Sequence, residues 1–152
     1  MEDIMDYHKS EEEVLFLQNH LCFPLYACSR ESIKLYKPFL DELELTYTQY
    51  VAMLVIWERK QLTSKELGRR LYLDSGTLTP LLKKLEAKGL LTRQRSTEDE
   101  RNLLLTVTEQ GMALREKAVH IPYELVKHVN LTPQEARELY RLLYKLLEII
   151  EE

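Results

Sequence analysis

Two cysteines are the most reactive nucleophiles in this 152-residue chain. A thiolate attacks peroxides and disulfides, so each cysteine is a candidate redox group. On a helix, Cys28 falls on an apolar stripe with Leu21 and Leu25, which predicts a buried thiol, whereas Cys22 lies on the flank of that stripe. Six helical residues place the two α-carbons about 9 Å apart on faces about 120° apart, beyond the reach of a disulfide. Because a lone helical cysteine is more often structural, the residues alone leave the role of Cys22 open.

Other catalytic patterns are weak in this sequence. His20 and Cys22 are the best candidates for metal ligands, but neither a Cys-x-x-Cys nor a His-x-x-x-His pair accompanies them, so we expect no metal and no cofactor. No Gly-rich phosphate loop, Ser/His/Asp order or paired-carboxylate pattern supports other enzyme chemistry. We therefore expect a protein that is not an enzyme, with one alternative: a thiol peroxidase that turns over its substrate at Cys22.

The charges of the chain are unevenly placed, although the net charge is only −4. Residues 59–101 carry 11 basic and 6 acidic side chains, whereas residues 1–58 and 102–152 are both net acidic. A basic segment between acidic ends predicts a docking place for a polyanion such as DNA. The alternative is a basic face that is merely solvated.

The basic segment contains a predicted helix-turn-helix. Thr63 and Glu66 form a capping box for one short helix, Asp74 precedes a second helix, and Gly89 is suited to end that second helix. Four leucines of the second helix share one face, and the opposite face is small, hydroxyl-bearing and basic, which is typical of a helix that enters the major groove. The predicted DNA contacts of this helix are Ser75, Thr77, Thr79, Lys83 and Lys84.

A predicted β-hairpin follows the second helix. Its strands cover residues 90–95 and 102–107, and the charged segment 96–101 joins them. A hairpin after a helix-turn-helix is the wing of a winged helix, and its arginines can reach phosphates or the minor groove. The predicted DNA contacts of the wing are Arg93, Arg95, Asp99 and Arg101.

Helices on both sides of this unit complete a mainly α fold with a small β wing. Ser10 caps a long predicted first helix over 10–38, in which Pro24 is expected to cost the hydrogen bond to His20 and bend the helix. One predicted helix runs from Thr108 through Ile121, and the last is capped by Thr132. Because these flanking helices are too apolar to stand alone, we expect 10–38 and 108–152 to form a two-fold dimer around the winged helix-turn-helix unit, 46–107. The 152 residues then make a single domain.

This layout resembles the MarR family of bacterial transcription regulators across almost the whole chain. The resemblance is carried by segments 45–49 (LTYTQ), 74–79 (DSGTLT) and 85–91 (LEAKGLL), and by the run from the wing into the next helix, 99–111. It implies a dimeric winged-helix protein that binds double-stranded operator DNA.

Within that family, segment 21–27 (LCFPLYA) is similar to the organic hydroperoxide sensors, the OhrR branch. The resemblance implies that Cys22 is the peroxide-reactive cysteine, that Tyr36 and Tyr47 of the partner subunit hydrogen-bond its sulfur, and that Tyr26 lies near the site. It also implies a repressor that releases operator DNA when an organic hydroperoxide oxidises Cys22. Since no second cysteine occurs far along the chain, we expect the one-cysteine type, in which a low-molecular-weight thiol forms a mixed disulfide with the oxidised cysteine.

Two alternatives share this fold. One is a broader one-cysteine redox or virulence regulator of the MarR family, and the other is a MarR-type repressor that responds to phenolic ligands, with Cys22 incidental. A purely structural module leaves the winged helix unexplained. Because the chain has no long apolar run and its acidic start lacks the features of a secretory signal, we expect no membrane partner and a cytoplasmic location.

Overall fold

The computed structural model describes residues 11–95 and 103–151. It is mainly α-helical with one small antiparallel sheet, as the sequence predicts. The chain divides into two compact units, residues 1–119 and 120–152. In chain order the elements are α1 Glu11–Val14, a 3-10 turn Leu17–Asn19, α2 Cys22–Glu42, α3 Tyr47–Arg59, β1 Gln61–Thr63, α4 Ser64–Leu71, α5 Ser75–Ala87, β2 Leu91–Arg95, β3 Leu103–Val107, α6 Glu109–Ala118, α7 Ile121–Val126 and α8 Pro133–Glu151.

Side-chain caps fix where the helices of the winged unit begin. Thr46 and Gln49 form a reciprocal capping box at α3, with hydrogen bonds of 3.3 and 3.0 Å. At α4 the hydroxyl of Thr63 accepts the backbone N–H of Glu66 at 3.1 Å. Each cap satisfies a backbone donor that has no partner inside its helix. The start predicted at Thr63 is confirmed, and so is the stop at Gly89, which takes a left-handed φ of 69° just after α5.

Three strands, and not only the two of the wing, make the sheet. Their order is β1-β3-β2, so β3 pairs with both neighbours, and Leu105 lies opposite Leu62 on one side and Arg93 on the other. The two predicted wing strands are confirmed to within one residue. Strand β1 is not predicted from the sequence because it has three residues, the last of which is the capping Thr63, and these are too few to show a strand periodicity.

The core of residues 1–119 lies where α3, α4 and α5 meet the sheet. All four leucines of the predicted inward stripe of α5 are buried, which confirms the orientation of that helix and leaves its opposite face exposed. Other buried side chains come from α3, α4, β2 and β3. The fully buried residues of this core include Met53, Ile56, Leu67, Leu82, Leu85, Leu91 and Leu105.

Helix α6 begins against the base of the wing. The Thr108 hydroxyl donates to the Gly89 carbonyl at 2.6 Å and accepts the backbone N–H of Gly111 at 3.0 Å. A side chain at Gly111 would place its β-carbon 2.1 Å from the Leu90 carbonyl oxygen, so only glycine fits there. The indole N–H of Trp57 donates to the Gly111 carbonyl at 2.7 Å, which joins α3 to the same place.

The N-terminal region differs from the predicted single helix over 10–38. A 3-10 turn separates α1 from α2, and α2 begins only at Cys22. Pro24 therefore lies in the first turn of α2, where a backbone N–H has no helical partner, so the predicted loss of a hydrogen bond inside a long helix is wrong. Helix α2 then continues past Pro38 to Glu42, four residues beyond the expected end. The predicted cap Ser10 lies outside the described residues.

The C-terminal helices also differ in part from the prediction. The helix expected from Thr108 through Ile121 ends at Ala118, and α7 begins at Ile121 with Pro122 in its first turn. Among the described residues, no helix is long and apolar enough to cross a membrane.

The cap of α8 is confirmed. Glu135 donates its backbone N–H to the Thr132 hydroxyl at 3.3 Å, and its carboxylate accepts the Thr132 backbone N–H at 2.8 Å. Large apolar and aromatic side chains of α8 are exposed in the single chain, including Leu139, Tyr140, Leu142, Leu143, Tyr144, Ile149 and Ile150.

Candidate DNA-binding surface and cysteine site

The exposed face of α5 starts at a strong N-terminal cap. The Asp74 carboxylate accepts both the backbone N–H and the hydroxyl of Thr77, each at 2.9 Å. These hydrogen bonds hold the pKa of Asp74 below its ordinary value. Ser75, Thr77 and Thr79 are all exposed, and the structure brings them together on the first turns of α5.

The hydroxyl hydrogens of both threonines are used inside the protein. Thr77 donates to Asp74, and Thr79 donates to the Ser75 carbonyl at 2.8 Å. Each threonine therefore offers the solvent a methyl group and an oxygen lone pair. In the major groove a methyl group suits the C5-methyl of thymine, and a lone pair suits the amino group of adenine or cytosine.

Three further cations that the sequence predicts at the DNA surface are exposed. Lys83 and Lys84 lie in the C-terminal half of α5, and Arg95 is the last residue of β2. Asp99 and Arg101 fall in segment 96–102, outside the described residues, so their DNA contacts stay predictions.

The fourth described cation, Arg93, is already paired. Its Nε and Nη2 atoms donate to one oxygen of Glu86 at 2.9 and 2.5 Å, and its backbone N–H donates to the other oxygen at 3.2 Å. These bonds hold the pKa of Glu86 below its ordinary value. Glu86 was not predicted from the sequence, although it is the only acidic residue between positions 75 and 95, which was the available signal.

Cys22 is the first residue of α2, and its side chain is exposed in the single chain. Cys28 is exposed as well, so the prediction of a buried thiol on the apolar stripe is wrong for the single chain. The reason is that most of α2 has no cover from its own subunit: Leu40 is its only buried residue. Among the described residues, no group of three or more His, Cys, Asp or Glu side chains could hold a metal ion.

Two of the predicted site tyrosines meet within one chain. The rings of Tyr36 on α2 and Tyr47 on α3 lie edge to face with centroids 4.9 Å apart. Tyr50, which the sequence did not single out, lies 5.9 Å from Tyr36 and 6.3 Å from Trp57. The aromatic spacing of α3 at positions 47, 50 and 57 was the signal for this larger cluster. Burial raises the pKa of Tyr36, Tyr47 and Tyr50, so their hydroxyls stay protonated donors at neutral pH.

Cys22 does not meet those tyrosines within its own chain. Fourteen residues of continuous helix separate it from Tyr36, which corresponds to about 21 Å along the axis of α2. The same spacing leaves the two side chains within about 40° of each other around the axis. Tyr26, one turn after Cys22, is exposed and has the guanidinium of Arg30 5.7 Å from its ring centroid. Cys22 and Tyr36 thus lie on one face of α2, the cysteine at its first residue and the tyrosine about 21 Å further along.

A helix-turn-helix with an exposed hydroxyl-bearing and basic face, followed by a wing, defines a winged-helix DNA-binding protein. The family model described as "Transcriptional regulator SarA/Rot" matches residues 34–118. The organic hydroperoxide resistance transcriptional regulator of Bacillus subtilis is 52% identical over 136 residues, which cover 90% of this chain and 92% of that relative. The regulator SarZ of Staphylococcus aureus is 44% identical over 124 residues, with 82% and 84% covered.

Solved structures agree with these relatives. The structure of reduced AbfR bound to DNA has a TM-score of 0.77 and 33% sequence identity, and the match covers 94% of this chain and 100% of that one; AbfR is a protein of Staphylococcus epidermidis. The chain belongs to the MarR/SarA family of winged-helix transcriptional regulators, and an organic hydroperoxide regulator is among its relatives. It is a DNA-binding regulator and not an enzyme.

Proposed function

We propose that this regulator is a homodimeric repressor in which an organic hydroperoxide oxidises Cys22 and thereby releases operator DNA. We propose a cytoplasmic location, because the regulator must have access to its operator DNA. The observation that carries the proposal is the incomplete site of the single chain: Cys22 is exposed at the start of α2, and the half-buried pair of Tyr36 and Tyr47 lies about 21 Å further along that helix. The hydroperoxide regulator among the relatives supports the choice of effector.

A second copy completes the site. Because about 21 Å separate Cys22 from Tyr36 on one rigid helix, the phenols can donate to that sulfur only from a partner subunit. The exposed apolar side chains of α2 and those of α8, each taken by itself, favour the same conclusion, since large exposed apolar surfaces mark interfaces. We therefore assign α2, and the helices over 108–152, to the dimer interface.

The proposed redox chemistry needs only the chain, the peroxide and a small thiol. The Cys22 thiolate attacks the outer peroxide oxygen and the O–O bond breaks, so that a cysteine sulfenic acid forms and an alkoxide leaves, which takes a proton from water to become an alcohol. A low-molecular-weight thiol then attacks the sulfenic sulfur, so that a mixed disulfide forms and water leaves. Two phenols that remain protonated would stabilise the starting thiolate without adding a charge to an apolar pocket.

Release of DNA follows from the position of Cys22. A mixed disulfide adds bulk at the first residue of α2, against the partner subunit. Movement of α2 would change the distance between the two copies of α5, and that distance must match the spacing of the half-sites. A crystal structure of overoxidized AbfR has that relative bound to DNA, so for this chain we assign the release of DNA to the mixed disulfide and not to oxidation alone.

The decisive experiment titrates operator DNA with reduced protein, and then with protein treated with one equivalent of cumene hydroperoxide plus a small thiol. Wild type is expected to bind and then to release the operator, whereas Cys22→Ser should stay bound after treatment. Cys28→Ser is the matched control, because it removes an exposed thiol from the same helix and should still respond.

Two further variants test the phenols. Tyr36→Phe or Tyr47→Phe should slow the oxidation of Cys22 by about tenfold, as the loss of a hydrogen bond to a charged group predicts, while the affinity of the reduced protein for operator DNA stays unchanged. If Cys22→Ser is released as readily as wild type, peroxide sensing through Cys22 is wrong. If instead only phenolic compounds release the DNA, from wild type and Cys22→Ser alike, the ligand-responsive alternative replaces it.

A further inference from the structure

We infer that the cleft between α4, the start of α5 and the wing strands binds a phosphate of the operator backbone through Lys65 and Arg69. This inference rests on the proposed function to the extent that α5 must lie in the major groove. The ligand is the phosphodiester of duplex DNA, and the contacts it adds carry affinity but no sequence information.

The cleft is bounded by the elements that approach DNA in a helix-turn-helix. Its volume is about 330 Å³, and Ser75 and Thr79 of the exposed face of α5 form part of its wall. Lys65 and Arg69 line it from α4, where a spacing of four residues puts them on one face, one turn apart. The first helix of a helix-turn-helix crosses the DNA backbone while the second enters the groove, so this face of α4 is the one that meets phosphates.

Salt bridges separate the cations of this region into two sets. Arg70 pairs with Glu58 at 3.2 Å, and Arg59 lies within 4 Å of Glu58 and Glu66. In contrast, Lys65 and Arg69 are exposed and make no ion pair with any described residue. Their charges are therefore uncompensated on the DNA side of α4, whereas the neighbouring arginines are held by acids of their own subunit.

Gly68 lies between these two cations, where α4 approaches α5 closely. A β-carbon on Gly68 would lie 3.0 Å from the Leu73 carbonyl oxygen and 3.3 Å from a methyl carbon of Leu78. A side chain at position 68 would therefore require these neighbours of α4 to give way by a few tenths of an ångström. Lys65 and Arg69 flank this point, where the cleft has backbone and leucine for a floor and positive charge at its rim.

The adjacent arginines provide a matched experiment. Operator and random duplex DNA are each titrated at several salt concentrations with four reduced proteins. These are wild type, Lys65→Ala, Arg69→Ala and Arg70→Ala. Lys65→Ala and Arg69→Ala should each weaken binding to both duplexes by a similar factor, about 5- to 30-fold, because a dimer carries two copies of the substituted cation. The slope of log K against log salt should become shallower by about two, because two fewer phosphates are neutralised. Arg70→Ala should keep the wild-type slope.

Three results would overturn the inference. They are a wild-type salt slope in Lys65→Ala and Arg69→Ala, a loss confined to the operator sequence, or an equal loss of slope in Arg70→Ala. Thermal unfolding of each variant, at or near the wild-type midpoint, keeps a folding defect from imitating weaker phosphate binding. Failure of the proposed function is distinguishable: wild type that binds operator but ignores peroxide would refute the sensor and leave these slopes intact.

Discussion

The phenols of Tyr36, Tyr47 and Tyr50 should make the stability of this protein depend on pH in the alkaline range. Burial raises the pKa of Tyr36, Tyr47 and Tyr50, and for Tyr36 the neighbouring Tyr47 adds to the effect. Near and above pH 10, the usual tyrosine pKa, the folded state therefore holds protons that the unfolded state has released. Their contribution to stability is complete below about pH 10 and is lost as the pH rises through the folded-state pKa values.

Replacing one phenol should make the alkaline loss of stability less steep. A proton held only by the folded state contributes at most about 1.4 kcal/mol per pH unit to the slope of unfolding free energy against pH. We expect Tyr36→Phe to have a shallower slope than wild type above about pH 10 and a parallel profile below it. Denaturant unfolding at a series of pH values measures this directly. Tyr26→Phe, on an exposed tyrosine of the same helix, serves as the control, and equal slopes for all three proteins would contradict the assignment.

Individual site residues were predictable only where a local sequence pattern or the family resemblance pointed to them. Periodicity alone placed Cys28 in a core, because an apolar stripe does not reveal whether its cover is the same chain or another one. Residue types alone likewise gave no means to pair Tyr36 with Tyr47, since they lie on different helices and meet through the turn between α2 and α3. The position of Arg93 against Glu86 depends on the path of the chain around Gly89, which sequence spacing does not encode.

At the scale of elements, the Glu86–Arg93 pair joins α5 to the wing. It connects the last turn of α5 to β2, and the Arg93 side chain is only 18% exposed, so its guanidinium points at protein and not at solvent. The sequence predicts Arg93 as a DNA contact. From this geometry we predict that Arg93 affects DNA binding by holding the wing at a fixed angle to α5.

Arg93 could position the wing or contact a phosphate, and Glu86→Gln should change operator affinity in opposite directions in the two cases. If Arg93 positions the wing, loss of the charged partner should weaken operator binding, by roughly two- to fivefold as for a partly exposed ion pair. If Arg93 contacts phosphate, the same change frees its charge and removes a nearby negative one, so binding should tighten. Arg93→Lys gives an independent check, because lysine keeps the charge but not the planar fork that grips Glu86. Tighter binding by Glu86→Gln, measured with operator DNA at fixed salt, would refute the positioning role.

Element boundaries were predictable to the extent that local chemistry sets them. The starts of α3, α4 and α8 each depend on a threonine that satisfies a backbone donor three residues later, a signal contained within four residues. The break between α1 and α2 has no such signal, because the apolar spacing continues across it. The predicted effect of Pro24 is wrong because it depends on where the helix begins. A proline costs a hydrogen bond inside a helix and none in the first turn.

At the scale of the whole molecule, the proposed two-fold dimer and the spacing of Cys22 and Tyr36 on α2 together predict how two subunits would meet. If Cys22 of each subunit lies beside Tyr36 of the other, the midpoints of the two copies of α2 coincide to within a helix-packing distance, about 8–10 Å, and the helices run antiparallel. The residue midway between positions 22 and 36 is Ser29. The segment around it, 27–29 (ACS), consists of small residues, which allow two helices to approach closely.

This geometry makes a cross-linking prediction that does not depend on peroxide or DNA. In a background with Cys22→Ser and Cys28→Ser, we expect Ser29→Cys to form a disulfide between subunits under mild oxidation, because symmetry-related residues at a helix crossing come within the range of α-carbon distances that a disulfide spans. Ile33→Cys is the control: it is exposed on the same helix but one turn from the crossing, so its two copies should be too far apart. Non-reducing electrophoresis of the two variants reads out the result. Cross-linking at position 33 but not at 29 would move the two-fold axis along α2, and Cys22 would then lie too far from Tyr36 of the partner for the phenol to donate to its sulfur.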